Sequence, residues 1–380
     1  MRVHIVDPSA YTPPYDHALS AALAAAGADV ELFTSRFAYA AAPSPHGYVK
    51  HDAFYRSTRV ARGDSRAAQR ARRVLKLAEH VPDMLRYRRA ARGADVVHFQ
   101  WLTVQQLDAR LLPPRRGEGY ERSTRAGRPP LVLTAHDVLP REGGRRRREA
   151  QRRLYDRFDA VVAHTEHGRS RLTEELGVDP ERVHVIAHGA FAHLAELPAA
   201  PPPFATDKRV VLFFGLLRPY KGLDVLLQAW RGIDDAELWI VGMPRMDVAA
   251  LTADAPPNVR LVPRFVADAE LPAYFARADL VVLPYREIEQ SGVLFTALAF
   301  GKALLVSDVG GFAELAERGA AHAVAPGDPR ALHDALTQLL ADPAALASLG
   351  QRALAVAHGE YSWQAIAART LALYRQLLHA

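Results

Sequence analysis

One segment in the second half of the chain combines two cations with a turn that could hold a diphosphate. Residues 211–227 (VLFFGLLRPYKGLDVLL) predict a buried strand, a turn at Gly215, and then Arg218 and Lys221 ahead of an amphipathic helix. Arginine offers a planar fork of donors and lysine a compact point charge, so the pair suits phosphate oxygens. An ordinary surface pair followed by a capping Gly222 is the alternative interpretation.

A second segment supplies carboxylates and a helix start. Residues 280–311 (LVVLPYREIEQSGVLFTALAFGKALLVSDVGG) predict a strand, an acidic loop with Glu287 and Glu289, and a helix that begins at Ser291 and Gly292. Backbone N–H groups at a helix start attract anions, and a nearby carboxylate accepts hydrogen bonds from sugar hydroxyls. In the alternative interpretation Ser291 is only an N-cap and Glu289 an exposed loop acid.

These two segments together resemble the retaining glycosyltransferases of family 4, which have the GT-B fold. The resemblance lies in G-x-x-R-x-x-K-G, the acidic loop, the S-G pair and a helix that ends in F-G-K-A. It extends over most of the chain, because four other stretches occur in family-like order: 95–101 (DVVHFQW), 134–137 (TAHD), 183–189 (VHVIAHG) and 361–363 (YSW).

The resemblance implies a role for several residues. Arg218 and Lys221 match the pair that binds the donor diphosphate, and Glu289 matches a glutamate that contacts hydroxyls of the donor sugar. His136 matches a first-domain histidine that reaches the donor sugar, although a histidine at the end of a strand could equally form only local hydrogen bonds. We expect these four side chains to be catalytic. The other expected donor-binding residues are Gly215, Glu287, Ser291, Gly292, Val293 and Leu294.

Two positions depart from the family pattern. The second glutamate of the family's E-x7-E motif, which contacts ribose, is Ala297 here, so the ribose contact is in question. The glycine-rich loop that usually follows the first strand is replaced by 9–15 (SAYTPPY), which points to unusual recognition of the acceptor. We expect four residues on the acceptor side: Tyr15, His17, Trp101 and Asp137.

The sequence contains none of the common motifs for metal binding or hydrolysis. D-x-D, H-E-x-x-H, a P-loop and G-x-S-x-G are all missing, and the chain has no cysteine. We therefore expect no metal and no cofactor, with side chains and backbone N–H groups stabilising the departing nucleotide diphosphate. The resemblance implies retention of anomeric configuration, with the β-phosphate oxygen accepting the acceptor's proton.

Short β-branched or aromatic runs alternate with helical stretches along the whole chain, which is typical of α/β folds with parallel sheets. The pattern restarts near residue 210 after a proline-rich stretch, so we predict two Rossmann-like domains whose sheets face an interdomain cleft. The predicted bounds are 1–193 for the acceptor-side domain, 194–206 for the linker and 207–362 for the donor domain, with a final helix at about 363–380 packing back on the first domain. The twelve predicted strands are 3–6, 30–33, 96–99, 131–135, 160–163, 183–186, 210–214, 238–241, 259–261, 280–283, 303–307 and 323–325.

The positive charge is concentrated in the first half. Residues 1–195 carry 32 lysines and arginines against 22 aspartates and glutamates, whereas residues 196–380 carry 16 against 20. This excess predicts either ordinary solvated helix faces or a surface for an anionic membrane or a phosphorylated acceptor. Nucleic acid is not expected, because no recognition motif accompanies the charge. The arginines cluster at Arg66, Arg70, Arg72 and Arg73, at Arg86, Arg88, Arg89 and Arg92, and at Arg145–Arg148, Arg152 and Arg153.

We therefore expect a hexosyltransferase that uses a nucleotide-diphosphate sugar and an acceptor glycan or lipid-linked sugar. No run of residues is apolar enough to cross a bilayer, so a cytoplasmic protein is expected, with peripheral association at the inner face of the membrane. Two other classes stay open from the sequence. They are a non-catalytic nucleotide-sugar-binding relative, suggested by Ala297, and a nucleotide-sugar epimerase on the same fold.

Overall fold

The computed structural model describes residues 1–37, 44–56, 66–112, 128–138 and 145–379, without side-chain detail at 66–73, 105–106 and 145–146. The side chains of four arginines of the predicted basic clusters lie outside these residues: Arg66, Arg70, Arg72 and Arg73. The chain divides into two compact units: residues 1–187 with 363–380, and residues 188–362.

The first unit is built on a sheet of seven parallel strands in the order β3-β2-β1-β4-β5-β6-β7. Its central strands are continuous apolar runs, as expected of strands covered on both faces by helices. Four strands in the middle of the sheet are buried along most or all of their length. The seven strands are β1 (Arg2–Asp7), β2 (Asp29–Thr34), β3 (Val49–Asp52), β4 (Val96–Phe99), β5 (Leu131–Thr134), β6 (Ala160–Ala163) and β7 (Val183–Val185).

The second unit is built on a sheet of six parallel strands in the order β10-β9-β8-β11-β12-β13. Its core contains large aromatic side chains that are fully buried, among them Trp230, Trp239 and Phe275. The six strands are β8 (Arg209–Phe214), β9 (Ala236–Val241), β10 (Val259–Val262), β11 (Leu280–Leu283), β12 (Ala303–Ser307) and β13 (His322–Val324).

Helices connect successive strands in both units, which gives the crossover connections that parallel strands require. In the first unit these are α1 (Pro13–Ala25), α2 (Arg66–Ala90), α3 (Gln105–Leu111), α4 (Arg145–Tyr155) and α5 (Glu166–Ser170), with α14 (Trp363–His379) at the end of the chain. In the second unit they are α6 (Ala192–Ala195), α7 (Leu223–Ala229), α8 (Val248–Thr252), α9 (Leu271–Phe275), α10 (Gly292–Ala299), α11 (Gly311–Glu317), α12 (Pro329–Ala341) and α13 (Pro343–His358).

The predicted α/β class with parallel sheets is confirmed, and all twelve predicted strands exist. The sequence missed β3 (Val49–Asp52), because this edge strand reads VKHD and has no apolar run to mark it. Helix α1 begins at Pro13, where two consecutive prolines occupy its first turn and need no intrahelical hydrogen-bond acceptor.

The C-terminal helix α14 belongs to the first unit and packs against α1. Its Tyr374 is buried, and the Tyr374 hydroxyl lies 2.6 Å from Nδ1 of His98 on β4. Nε2 of His98 lies 2.7 Å from the hydroxyl of Thr134 on β5. His98 therefore links the last helix to two central strands, and burial lowers its pKa to about 3.

We predict that His98 makes the first unit sensitive to acid. The folded protein holds His98 neutral, whereas the unfolded chain protonates it near its ordinary pKa of 6.5. Stability from this group is therefore present above pH 6.5 and is lost as the pH falls towards 3, on the order of 5 kcal/mol in total. Urea unfolding from pH 7 to pH 3 should show a shallower loss of stability for His98→Gln than for the unchanged chain. Identical slopes for the two proteins would contradict the assignment.

Candidate active site

The turn after β8 brings a lysine, a glycine and a helix start together in the second unit. Gly215 adopts φ +111°, and a Cβ at this position would lie 2.9 Å from Nζ of Lys221 and 3.0 Å from a methyl carbon of Val293. A larger residue would therefore meet both the ammonium group and the first turn of α10. The glycine permits these two predicted donor-binding elements to approach each other.

Lys221 is buried and held by an aromatic residue that the sequence analysis did not single out. Its Nζ donates a hydrogen bond of 2.8 Å to the hydroxyl of Tyr285 and lies 4.7 Å from the centroid of that ring. The Tyr285 hydroxyl in turn lies 3.4 Å from Oγ of Ser291. Burial raises the pKa of Tyr285, so the phenol stays neutral. The charge of Lys221 is thus positioned without being neutralised by this contact.

A second connection joins the loop after β11 to the turn after β8. The guanidinium of Arg286 pairs with the carboxylate of Asp224, and one of its amines donates to the carbonyl oxygen of Pro219 at 2.9 Å. The backbone N–H of Arg286 donates to the carbonyl oxygen of Tyr220 at 2.8 Å. The two sequence segments predicted to bind the donor are therefore fastened to each other at the carboxyl ends of two neighbouring strands.

Arg218 differs from Lys221 because its guanidinium is not engaged. The side chain is half-buried, and within the described part of the chain it makes no hydrogen bond or ion pair. A half-buried guanidinium at a strand end is available for a bound anion. Of the two loop glutamates, Glu287 is exposed and Glu289 is half-buried. Both lie in the loop that leads to α10, as the sequence predicted.

Helix α10 begins at Gly292, directly after Ser291, as predicted. The Ser291 side chain makes no N-cap hydrogen bond, so the interpretation of Ser291 as a simple cap is wrong. The first turn of the helix lies close to Lys221, because Val293 of that turn and Nζ of Lys221 both approach Gly215. Ala297 is fully buried, so this position presents no polar group for a ligand.

The first unit gathers a second set of predicted residues around His136. The His136 ring stacks on Trp101 with centroids 5.1 Å apart and an angle of 11° between the rings. The buried ring of Tyr15 packs in a T-shaped arrangement against the His136 ring, with centroids 4.8 Å apart. It packs in the same way against Trp363, with centroids 5.1 Å apart. Three predicted residues, together with the start of α14, thus form one aromatic cluster.

Hydrogen bonds fix the orientation of His136. Burial lowers the pKa of His164 to about 4, so its ring is neutral, and its Nδ1 donates to the carbonyl oxygen of Ile186 at 3.0 Å. Its Nε2 must then accept, and the donor is Nδ1 of His136 at 3.2 Å. Nε2 of His136 lies 3.2 Å from Oε1 of the buried Gln100 side chain. Both nitrogens of His136 are therefore bound to protein groups, and its ring is held rigidly against Trp101.

The other two acceptor-side predictions are not among the stacked rings of this cluster. His17 hydrogen-bonds the hydroxyl of Tyr48, and burial lowers the pKa of His17 to about 4. Asp137 follows His136 directly and is exposed. The structure thus brings Tyr15, Trp101 and His136 together and leaves His17 apart.

Sequence reasoning missed the residues that orient the predicted ones. Tyr285 and Arg286 come just after β11, separated from it by Pro284, and their position near a strand end was a usable signal. Gln100 and His164 likewise follow β4 and β6. Since all four occupy the carboxyl ends of parallel strands, each could have been proposed from its place in the pattern.

Comparison with known families matches both halves of the chain. Residues 14–189 match a family described as "Glycosyl transferase 4-like domain". Residues 208–342 match a family described as "Glycosyl transferases group 1". Together the two matches span most of both units.

Curated relatives carry transferase names. The chain is 28% identical to a D-inositol 3-phosphate glycosyltransferase of Kineococcus radiotolerans, over 94% of this chain and 88% of the relative. It is 31% identical to a GDP-mannose:glycolipid 4-beta-D-mannosyltransferase of Xanthomonas campestris pv. campestris, over 46% of this chain and 49% of the relative.

Solved structures share the fold. A sucrose-phosphate synthase of Thermosynechococcus elongatus superposes with a TM-score of 0.73 at 21% identity, covering 100% of this chain and 99% of that one. Anabaena Alr3699/HepE, solved in complex with UDP-glucose, superposes with a TM-score of 0.69 at 18% identity, covering 98% of this chain and 100% of that one. The predicted GT-B fold is thereby confirmed.

We predict that Gly222, which follows Lys221, cannot be replaced without loss of stability. It adopts φ +70°, and a Cβ there would lie 1.9 Å from the carbonyl oxygen of Pro284. Gly222→Ala should lower the free energy of unfolding by about 3 kcal/mol or more, from left-handed strain and this backbone clash together.

Gly232→Ala is the matched control, because Gly232 also has a positive φ, +84°, but has open space around it. It should cost only about 1 to 2 kcal/mol. Urea unfolding followed through the buried Trp230 and Trp239 reports on this unit. Equal losses for the two variants would show that the contact with Pro284 does not matter.

Proposed function

Because the chain belongs to the family 4 glycosyltransferases with the GT-B fold, whose donors are nucleotide sugars, we propose that it transfers a hexose to its acceptor with retention of configuration. The observation that supports this proposal is the arrangement of positive groups in the second unit. The unpaired Arg218, the buried Lys221 and the start of α10 lie at the carboxyl ends of neighbouring strands, where such folds bind ligands.

In the proposed reaction the bond between the anomeric carbon and the diphosphate oxygen breaks, and negative charge develops on the departing diphosphate. Arg218, Lys221 and the N–H groups of α10 stabilise that charge without having to rearrange. The acceptor oxygen forms the new bond on the same face of the sugar. Its proton passes to a released phosphate oxygen, so no side-chain base is required. Glu289 is proposed to accept hydrogen bonds from the donor sugar hydroxyls, and His136 to contact the donor sugar from the first unit.

We propose that no metal takes part, because the cations of the second unit supply the charge that a metal would otherwise provide. The printed names of the relatives include a GDP-mannose enzyme, and a structural neighbour was solved with UDP-glucose. A hexose on a purine or pyrimidine nucleotide diphosphate is therefore the proposed donor class. Inositol phosphate and glycolipid acceptors named for the relatives make a phosphorylated polyol or a lipid-linked sugar the proposed acceptor class.

Removing the free guanidinium should slow turnover without unfolding the protein. Arg218→Ala should reduce kcat/KM by about 30- to 1000-fold, or about 2 to 4 kcal/mol of transition-state stabilisation. Release of nucleotide diphosphate from a panel of UDP-, GDP- and ADP-hexoses measures this. Arg231→Ala is the matched control, because Arg231 is an exposed arginine of the same unit. Turnover of Arg218→Ala at the unchanged rate would overturn the proposed role.

We also propose that the first unit associates with an anionic membrane. Within the described residues no helix is long and apolar enough to span a bilayer. Helix α2, however, exposes apolar side chains at positions separated by three and eight residues, with exposed fractions of 64% for Val74, 52% for Leu77 and 40% for Leu85. This spacing places them along one side of the helix.

Exposed arginines accompany this apolar side at the end of α2. Arg86, Arg88 and Arg89 are exposed, and Arg92 is exposed just beyond the helix. An apolar stripe with adjoining cations is typical of helices that lie in the membrane interface. Each arginine near an anionic surface contributes on the order of 1 kcal/mol, and salt screens this attraction beyond about 8 to 10 Å.

The full chain should therefore co-sediment with vesicles that contain anionic lipid and not with neutral vesicles. Replacing Arg86, Arg88, Arg89 and Arg92 with glutamate should abolish this binding, and raising the salt concentration should weaken it. The control replaces four exposed arginines of the second unit with glutamate: Arg231, Arg245, Arg330 and Arg352. Equal binding to neutral vesicles, or no binding to either kind, would show that these arginines are ordinary solvated surface.

A further inference from the structure

Two imidazole rings of the first unit lie between two carbonyl oxygens. Nδ1 of His164 lies 3.0 Å from the carbonyl oxygen of Ile186, which directly follows β7. Nε2 of His164 lies 3.2 Å from Nδ1 of His136, and Nε2 of His136 lies 3.2 Å from Oε1 of Gln100. The nitrogens of the two rings therefore form one row of hydrogen bonds with a carbonyl oxygen at each end.

The number of hydrogens on this histidine pair follows from its partners. A carbonyl oxygen only accepts hydrogen bonds, so Nδ1 of His164 and Nε2 of His136 both carry a hydrogen. The contact between the two rings needs one more hydrogen, because one nitrogen must donate and the other accept. The pair thus holds three hydrogens on its four nitrogens. Two neutral imidazoles hold only two, so the pair carries one positive charge.

Differences in burial place this charge on His136. The His164 ring is buried, and burial lowers its pKa to about 4, against the smaller opposing effect of its hydrogen bond to Ile186. His136 is half-buried, so water reaches part of its ring. Its face stacks on Trp101 with centroids 5.1 Å apart and 11° between the rings, and an aromatic face attracts a cation. His136 is therefore the ring that accommodates two N–H groups.

Two titratable side chains from neighbouring elements face the pair, and both are neutral. Tyr15 of α1 packs against both rings, with its centroid 4.8 Å from that of His136 and 5.5 Å from that of His164. Burial raises the pKa of Tyr15, which keeps its phenol protonated. His98 of β4 interacts electrostatically with His164, and burial lowers the pKa of His98 to about 3. Asp137, which follows His136 in the chain, is exposed, so water screens its carboxylate.

The side-chain amide of Gln100 is placed to control this charge. Gln100 directly follows β4, is fully buried, and donates its backbone N–H to the carbonyl oxygen of Val6 at 2.8 Å. Its Nε2 is buried without a hydrogen-bond partner in the described part of the chain. Turning the amide over would present Nε2 to His136, which would then have to accept, and the pair would be neutral. A charged donor makes a hydrogen bond about twice as strong as a neutral one, which favours the orientation with Oε1 towards His136.

We propose that Gln100 is a positioning residue that keeps His136 doubly protonated, and that the positive charge of His136 assists transfer by stabilising the departing diphosphate. This inference rests on the proposed function, in which His136 contacts the donor sugar. A doubly protonated ring has no lone pair with which to act as a base, so no proton passes to or from His136 in the reaction. Its contribution is a fixed positive charge that requires no rearrangement when the bond to the diphosphate breaks.

NMR of the full chain with ¹⁵N-labelled histidine measures the protonation of His136 directly. The chain has 16 histidines, so His136→Gln and His164→Gln identify the signals of the two rings by their disappearance. At about pH 7, slightly above the ordinary pKa of histidine, we expect both nitrogens of His136 and only Nδ1 of His164 to carry hydrogens. A His136 ring with a single protonated nitrogen at this pH would overturn the proposal.

Gln100→Met removes the carbonyl oxygen and keeps the length of the side chain. His136 should then lose its second hydrogen at a pH lower by about 1 unit, a 10-fold change in the equilibrium, whereas Gln100→Glu should move this loss to higher pH. Gln151→Met is the matched control, because Gln151 is a buried glutamine of the same unit whose amide donates to the carbonyl oxygen of Val138 at 3.0 Å. Equal shifts for the two methionine variants would show a general loosening of the unit and contradict the role of Gln100.

The pH profile of turnover tests whether the reaction uses this charge. With the panel of nucleotide hexoses, kcat/KM should fall on the alkaline side, at the pH at which His136 loses its second hydrogen. Gln100→Met should move this fall to lower pH and Gln100→Glu to higher pH, whereas Gln151→Met should leave it in place. A profile that instead falls on the acid side as His136 gains a hydrogen would identify a base, and a profile independent of that titration would show an unused charge. Either result overturns the proposal.

The NMR and turnover measurements separate this inference from the proposed function. Turnover by a chain whose His136 is singly protonated would refute the inference and leave the proposed reaction standing. A doubly protonated His136 in a chain that releases no nucleotide diphosphate from any donor of the panel would establish the protonation state and refute the proposed reaction.

Discussion

The contact between Lys221 and Tyr285 is the interaction on which the second unit's site depends. An ammonium group buried to 6% exposure needs a partner that accepts hydrogen bonds. A neutral phenol provides one without cancelling the charge, whereas a carboxylate would remove the property that makes lysine useful to a diphosphate. The same phenol leads to Ser291 and so to α10. The Tyr285 hydroxyl thus connects the ammonium group of Lys221 to the residue at which α10 begins.

The first unit differs in its chemistry, because its candidate site is built from buried imidazoles and aromatic rings. His98 and His164 are neutral in the fold, with pKa values lowered to about 3 and about 4 by burial. A neutral imidazole has one donor nitrogen and one acceptor nitrogen, so its hydrogen-bond partners fix which nitrogen carries the proton. Because Nδ1 of His164 donates to Ile186, its Nε2 accepts from Nδ1 of His136 and so determines where His136 carries a proton. The second unit thus positions a buried positive charge, whereas the hydrogen bonds of the first unit fix the orientation of its rings.

The sequence was sufficient for the elements whose pattern is strong. Continuous apolar runs such as β8 and β11 identify strands covered on both faces, and the positions of Arg218, Lys221 and Ser291 follow from the strand and helix ends. The edge strand β3 carries no such pattern, since Val49 is the one apolar residue in VKHD. The pairing of Lys221 with Tyr285 and of Asp224 with Arg286 joins residues more than 60 positions apart, and no local pattern announces it. The contacts of Lys76 in α2 with the rings of Tyr11 and Tyr55 are also non-local, so the sequence does not distinguish this lysine from the exposed cations of the same helix.

The position of α14 has a consequence for the order in which the chain can fold. The second unit is one continuous stretch, 188–362, whereas the first unit is interrupted by it and ends with the last residues of the chain. During synthesis the second unit emerges whole while the first still lacks the helix that covers α1 and His98. Since domains fold as units once their residues are available, the second unit can reach its native state while the first still waits for α14 to be synthesised. The half that is translated first is therefore the half that matures last.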